Sequence, residues 1–243
     1  EFVLRIDQSG QFSLIDLGSE AIVQTSRLPV AQSAEVSAIA LSTGERTMMA
    51  IGLNSGEVLL VSAEYDTAAW PEAGARDVSP RHSYPLGRLP LFTMSESVSG
   101  LAISQQGDEI QVVAVGANGQ IELATGTRQS SLTALLNPAS VPEYVWNVAR
   151  SEAQVSDASR VFIDGDHQHV FALDSDDRLL AFSIRGLHEG GAEPFISDAI
   201  ANQPGKVVDA EMLVGGRSLM IADDQGQISQ WSFDVRSGEL LLH

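Results

Sequence analysis

One short stretch of the sequence concentrates side chains that can bind a metal ion. Residues 164–169 read Asp-Gly-Asp-His-Gln-His, and the Asp-x-Asp spacing of Asp164 and Asp166 occurs in calcium loops. These two residues and His167 are the candidate metal ligands. The stretch lacks the third spaced carboxylate, the glycine at the sixth loop position and the glutamate at the twelfth that complete such a loop. Because it also falls where one predicted strand turns into the next, we interpret it as a structural turn and expect neither a metal nor another cofactor.

The sequence carries none of the local patterns that accompany the common kinds of catalysis. It has no cysteine, no serine within Gly-x-Ser-x-Gly, no His-Glu-x-x-His and no glycine-rich phosphate loop, whereas nucleophilic catalysis needs a nucleophile beside a base. We therefore predict that the protein is not an enzyme and has no catalytic residues. Paired carboxylates for glycoside hydrolysis are defined only in space, so that kind of site stays open.

The elements that must position these residues come from an internal repeat. Five stretches align on the dipeptides Ser9-Gly10, Ser55-Gly56, Asn118-Gly119, Asp176-Asp177 and Gln225-Gly226, and such repetition predicts stacked or ring-arranged units. We number the second residue of each turn dipeptide zero and compare the five stretches position by position. The five residues at position −7, the minus-seven column, are all apolar, and so are the five at position +2, the plus-two column. We predict that both columns are buried between adjacent units. The minus-seven column is Val3, Met49, Val112, Val170 and Leu219, and the plus-two column is Phe12, Val58, Ile121, Leu179 and Ile228.

Each unit has the pattern of a β-hairpin, in which two apolar runs flank a two-residue turn that carries Gly, Asn or Asp. Further candidate strands precede four of the hairpins, at residues 36–41, 98–103, 159–163 and 207–214, and others follow at residues 20–28 and 239–242. Three or four antiparallel strands per unit predict the blade of a β-propeller. The segments 69–90 and 186–204 contain Pro and Gly, and the segment 137–142 contains two Pro. All three are predicted to be long loops.

The predicted fold class is therefore all-β, a β-propeller with WD-repeat-like blades and five recognisable units, as a complete ring or part of a larger one. We predict a single domain over residues 1–243, with units around 1–29, 36–90, 97–142, 155–204 and 205–243. An acidic residue recurs before three of the hairpin turns, as Asp7, Asp174 and Asp223. We interpret these carboxylates as parts of solvated turns, and the alternative that they line one face of the ring stays open.

Composition excludes some partners. The formal net charge is −18, from 32 acidic and 14 basic residues, and such a charge repels phosphate backbones, so we predict that no nucleic acid binds. No apolar run of 18 residues occurs, so this segment is not expected to span a membrane itself. The absence of cysteine fits the cytosol or the bacterial periplasm.

Four aromatic residues form the predicted interaction surface for a protein partner. Tyr65, Trp70 and Tyr84 lie in or beside the longest predicted loop, and Phe92 follows it. Aromatic side chains often anchor protein partners. The alternative, that these residues hold the loop onto the blades, stays open.

Two parts of the sequence resemble a known family. The segment Ala50-Ile51-Gly52-Leu53-Asn54-Ser55-Gly56-Glu57-Val58, which continues through Ala63-Glu64-Tyr65 towards Tyr84-Pro85-Leu86-Gly87, is one of them, and residues 162–184 are the other. Both resemble the extracytoplasmic, propeller-like insertion in the enlarged permease subunits of phosphate-type ABC transporters of Gram-negative bacteria. The resemblance implies a non-catalytic domain in the periplasm, tethered to an inner-membrane permease, with other transporter components as partners. It does not imply that the domain binds phosphate.

Three hypotheses of different classes follow. The first is the accessory or interaction domain of a transport permease, and the second is a free-standing propeller scaffold in envelope assembly. The third is an enzyme or ligand binder with its site on the ring axis. An axial pocket in which acidic and basic side chains converge would favour the third hypothesis.

Overall fold

The structure, a computed structural model, describes residues 2–43, 47–67, 78–83, 90–129, 144–155, 158, 160–184, 196–197, 205–213, 215–234, 236 and 239–243. Every regular element within these residues is a β-strand, so the all-β prediction is confirmed. The strands are β1 (Phe2–Ile6), β2 (Gln11–Asp16), β3 (Ala21–Arg27), β4 (Val36–Thr43), β5 (Thr47–Leu53), β6 (Glu57–Thr67), β7 (Val78–Ser83), β8 (Phe92–Thr93), β9 (Val98–Gln106), β10 (Glu109–Gly116), β11 (Gln120–Arg128), β12 (Tyr144–Gln154), β13 (Arg160–Ile163), β14 (His169–Leu173), β15 (Leu179–Ser183), β16 (Ile196–Ser197), β17 (Val207–Met212), β18 (Leu219–Asp223), β19 (Ile228–Asp234) and β20 (Glu239–Leu242).

These strands form five antiparallel sheets that follow one another along the chain. The first sheet has the order β1-β2-β3, and the second has the order β4-β5-β6-β7, with β8 also paired to β6. The third, fourth and fifth sheets are β9–β12, β13–β16 and β17–β20, each formed by strands that are consecutive in sequence. Each sheet therefore corresponds to one unit of the repeat.

The five hairpins lie at the predicted dipeptides. The second residue of each dipeptide has a positive φ: 76° at Gly10, 85° at Gly56, 82° at Gly119, 60° at Asp177 and 78° at Gly226. Glycine adopts this conformation without a steric penalty, and aspartate adopts it more readily than most other residues. The prediction of hairpin position is confirmed.

The type of turn differs from the prediction. The N–H of each positive-φ residue donates to the carbonyl three residues earlier, over 2.8 to 3.1 Å, so each turn has four residues. A two-residue type I′ turn needs a positive φ at both central residues, and here only the last turn residue has one. This is the three-residue hairpin loop in which a turn is followed by a left-handed residue.

Four strands lie where the repeat predicts loops or nothing, one of them the two-residue β8 (Phe92–Thr93). β7 and the short β16 fall within the predicted loops 69–90 and 186–204, and β12 extends the third sheet beyond residue 142. β7 contains Pro80 and is an outer strand of its sheet. Proline is tolerated there because an edge strand leaves part of its backbone unpaired.

Among the described residues the core consists of four apolar clusters, one between each pair of consecutive sheets. Each cluster contains the plus-two residue of one sheet and the minus-seven residue of the next. These pairs are Phe12 with Met49, Val58 with Val112, Ile121 with Val170, and Leu179 with Leu219. All eight side chains are buried, as predicted, and each buried side chain of this size contributes about 1.5–3 kcal/mol to folding.

The prediction is wrong for the two remaining members of the columns. Val3 is 43% exposed and Ile228 is 69% exposed. The minus-seven column faces the preceding sheet and the plus-two column faces the following one. The first sheet has no preceding sheet and the fifth has no following sheet among the described residues, so both side chains lie on open end faces.

Candidate functional site

The Asp164–His169 stretch forms the turn between β13 and β14, as predicted. The carboxylate of Asp164 is buried and accepts hydrogen bonds from the backbone N–H groups of Gln168 and His169, at 2.7 and 2.9 Å. Its second oxygen lies 2.8 Å from Nδ1 of His169. Asp164 therefore organises its own turn, because its oxygen atoms satisfy donors that the turn leaves unpaired.

His167 extends from this turn to the third sheet. Its Nε2 lies 2.7 Å from Oγ of Ser104, and its Nδ1 lies 3.2 Å from Oε1 of Glu109. The ring is buried although the backbone has a φ of +55°, which is uncommon for a residue other than glycine. The two side-chain contacts thus hold His167 in a conformation that costs free energy.

The three candidate metal ligands do not converge on one point. Asp164 bonds to its own turn, His167 bonds to the third sheet, and Asp166 is exposed with an oxygen 3.6 Å from Nε of Arg217. Within the described residues, no group of three His, Asp or Glu side chains could hold a metal ion.

The side chain of His167 instead closes a polar pocket at one end of the third sheet. The strand register places Ser104, Gln111, Thr125 and Asn147 in one row across four strands, and Gln106, Glu109, Thr127 and Val145 in the next row. The row further in, Ala102, Val113, Leu123 and Ala149, belongs to the apolar cluster between sheets three and four. The pocket has a volume of about 570 Å³ and reaches residues 166–168 of the fourth sheet.

Two buried polar atoms in this pocket have no hydrogen-bond partner. They are Oε1 of Gln111, whose residue is 1% exposed, and Oγ1 of Thr125. An unsatisfied buried polar group costs about 1–3 kcal/mol, so such groups call for a reason. At the position of Gln111 the second unit has Met48, which is buried in an apolar cluster. The glutamine thus stands where the second unit has an apolar residue, which would leave no polar atom unpaired.

A second pocket, of about 420 Å³, lies where the first strands of sheets two to five approach one another. At its edge, Nη1 of Arg160 on β13 is 2.7 Å from Oδ1 of Asp209 on β17, and Nη2 donates to the carbonyl of Val208 at 2.6 Å. One acidic and one basic side chain therefore converge here, as the ligand-binding hypothesis expects. Asp209 is 81% exposed, so the pair also resembles an ordinary surface ion pair, which contributes little to stability.

The recurrent acidic residues brace the hairpin turns. In each case Oδ1 accepts the backbone N–H four residues later: from Gln11 to Asp7 at 3.0 Å, from Arg178 to Asp174 at 2.9 Å, and from Gln227 to Asp223 at 2.8 Å. The hydroxyl of Ser9, followed by the amide of Gln11, holds the pKa of Asp7 below its ordinary value. These contacts support the interpretation of the carboxylates as parts of turns. Only Asp7 is exposed as predicted, whereas Asp174 and Asp223 are buried, so the prediction of a solvated turn is wrong for those two.

The predicted aromatic surface lies largely outside what the structure describes. Trp70 and Tyr84 fall beyond the described residues, and of Tyr65 only the backbone is described, on β6 opposite Pro80. Phe92 is 8% exposed and packs in the cluster between sheets two and three. Its assignment to an exposed surface is therefore wrong, because the pairing of β8 with β6 places Phe92 in the apolar cluster between those two sheets.

Sequence reasoning missed Glu109, Gln111, Thr125 and Arg160. The one available signal is that Glu109 and Gln111, two residues apart on a strand, share a face that is otherwise apolar. Their meeting with Thr125 and His167 depends on strand register and on the packing of two sheets.

The comparisons with known proteins bear on the fold alone. No family model matches the sequence, and no curated protein matches it. The crystal structure of a mitotic checkpoint complex contains a chain with a TM-score of 0.51 and 14% sequence identity, over 99% of this chain. This chain spans 64% of that chain's length. Together with the five antiparallel sheets, the likeness supports a propeller-like fold. The described residues include no helix of the length and apolarity that crossing a membrane requires.

Proposed function

We propose that this chain forms five blades of a larger β-propeller and acts by contact, as a non-catalytic interaction domain. The observation that carries the proposal is the repeated interface, in which the plus-two and minus-seven columns of consecutive sheets pack in the same way four times. Propeller blades pack on their neighbours in this manner. The exposure of Val3 and Ile228 in the same columns supports a section of a ring. The similar chain belongs to a complex, which is in keeping with a role in contact.

The resemblance to phosphate-type permeases suggests where in the cell the domain lies and which protein carries it. On this proposal the domain lies in the periplasm, attached to an inner-membrane permease subunit, and its partners are other components of the transporter. A free-standing scaffold in envelope assembly is the alternative setting. The high negative charge serves solubility in either case.

The setting is tested with the full-length gene product in its bacterial host. The native segment has no cysteine, so Asn118→Cys in an exposed hairpin turn gives this segment one labelling site. We expect a membrane-impermeant maleimide to label this variant once the outer membrane is permeabilised, with the inner membrane intact. Replacing the segment by a short linker should weaken co-purification of the transporter subunits. Labelling that requires rupture of the inner membrane, or co-purification that does not change, would contradict the proposal.

A second candidate function, a ligand binder, is favoured by the pocket at Arg160 and Asp209. Inorganic phosphate is the probe that separates the two functions, with wild type and Arg160→Met compared in a thermal-shift titration. If the chain is an interaction domain, we expect phosphate to leave its unfolding temperature unchanged. A saturable rise in the unfolding temperature that Arg160→Met abolishes would favour the ligand binder instead.

A further inference from the structure

The pocket between sheets three and four contains an acceptor that protein groups leave unused. The amide of Gln111 donates through Nε2 to Oε1 of Glu109 at 2.8 Å, while its own Oε1 has no partner. This orientation is fixed, because turning the amide over would set its oxygen against the carboxylate oxygen of Glu109. The unpaired oxygen therefore calls for a donor from outside the described protein groups.

The charges around the pocket favour a cation. Glu109 and Asp166 contribute two carboxylates and His167 contributes an imidazole. The guanidinium of Arg217, 3.6 Å from Asp166, is 80% exposed and does not line the pocket. An anion would meet the carboxylate of Glu109 beside the free oxygen of Gln111, whereas a cation meets two acceptors there. The net charge of −18 adds a long-range field of the same sign.

The geometry also favours a ligand with several donors. Gln111, Thr125 and Glu109 line one cavity, and Oε1 of Gln111 and Oγ1 of Thr125 are buried without a hydrogen-bond partner in the protein. A volume of about 570 Å³ is within the usual range of sites for small molecules. Ammonium and guanidinium groups carry three and five N–H donors and no acceptor.

We infer that this pocket binds an organic cation through its N–H donors, as an alkylguanidinium or alkylammonium group. Gln111 and Thr125 accept hydrogen bonds from the cation, and Glu109 supplies the opposite charge. His167 closes the pocket and positions Glu109 through Nδ1. The inference goes beyond the proposed function and does not depend on it, because a cation would bind here whichever protein carries the domain.

The test uses the purified chain and three probes. Methylguanidinium represents a free cation, N-acetyl-arginine N-methylamide represents a peptide side chain, and the citrulline counterpart has nearly the same shape without the charge. We expect calorimetry to show binding of the cationic probes, and the neutral probe to bind at least about tenfold more weakly. Tighter binding of the arginine probe than of methylguanidinium would identify a peptide as the source, and similar binding would identify a free cation.

Two variants and a control connect this binding to the pocket. Gln111→Met gives the third unit the residue type that the second unit has at the equivalent position, Met48. Glu109→Gln removes the negative charge from the pocket. Each variant should bind the cationic probes about tenfold more weakly than wild type. Gln227→Met, on an exposed part of the fifth sheet, should bind as wild type does. An unfolding midpoint of Gln111→Met at or above that of wild type shows that the fold is intact.

Three results would overturn the inference. They are equal binding of the neutral probe, cation binding that both pocket variants leave unchanged, and no binding at about 10 mM probe, which corresponds to an affinity too weak to matter.

Discussion

Replacing Leu179 by alanine should destabilise the protein strongly, whereas the same change at Ile228 should have little effect. The two residues hold the same position in successive units of the repeat. Leu179 is 1% exposed and packs in the cluster between sheets four and five, and Ile228 is 69% exposed on the open face of the fifth sheet. The pair thus isolates the contribution of a neighbouring sheet.

The size of the effect follows from the atoms removed. Leu179→Ala deletes three buried carbon atoms, which contribute about 2.4 kcal/mol at about 0.8 kcal/mol each. The cavity left in the cluster that also contains Leu219 and Trp231 adds to this cost and brings the total to about 2–5 kcal/mol. Ile228→Ala loses β-propensity and little burial, so its cost should stay below about 1 kcal/mol.

Urea denaturation followed by circular dichroism measures both free energies of unfolding. An unchanged m-value in the two variants would show that the same transition is being compared. A loss at Ile228 as large as that at Leu179 would refute the reasoning, since it would mean that the outer face of the fifth sheet is covered.

Two further predictions concern the turns. Gly56→Ala and Gly226→Ala both force alanine into a positive φ, at a cost of about 1–2 kcal/mol. At Gly56 the new Cβ would also clash with the backbone oxygen of Met94, while nothing lies within 4 Å at Gly226. The first variant should therefore lose about 2–5 kcal/mol in urea denaturation, and equal losses in the two variants would contradict this account. The pKa of Asp7 should fall below its ordinary 3.8 in a carbon-13 NMR titration, and Ser9→Ala should raise it. Because the folded-state pKa is lowered, the stability that Asp7 contributes is present above the unfolded pKa and is lost as pH falls through the folded pKa. An unshifted pKa of Asp7 in the wild-type protein would exclude this contribution.

The sequence predicts the hairpins and most of the core because both depend on local rules. A left-handed residue at Gly10 or Gly119 is a property of the turn itself, and an apolar column shows which strand face avoids water. The errors at Val3 and Ile228 have one cause: a column shows which face is apolar, whereas burial also needs a neighbouring sheet. β7 escaped prediction because its proline and polar residues give no strand pattern, and backbone pairing at the sheet edge decides its structure.

The pocket could not be predicted because its residues meet only in three dimensions. Gln111 and Thr125 become neighbours through the register of β10 and β11. His167 reaches them from a different sheet, across 58 residues of sequence from Glu109. The sequence indicated residues 164–169 as a structural turn, with a metal site as the weaker alternative that its residue types offered. In the structure, His167 of this turn contacts Ser104 and Glu109 of the third sheet instead.

The accessibility of single cysteines tests most directly the central claim, that five sheets pack in sequence and leave two open end faces. The native segment has no cysteine, so Val3→Cys, Val112→Cys, Leu179→Cys and Ile228→Cys each introduce one thiol, two in each column of the repeat. The account predicts rapid reaction with a thiol reagent at positions 3 and 228 and slow reaction, limited by opening of the fold, at positions 112 and 179. Equal protection at all four positions, with folding verified by circular dichroism, would contradict it.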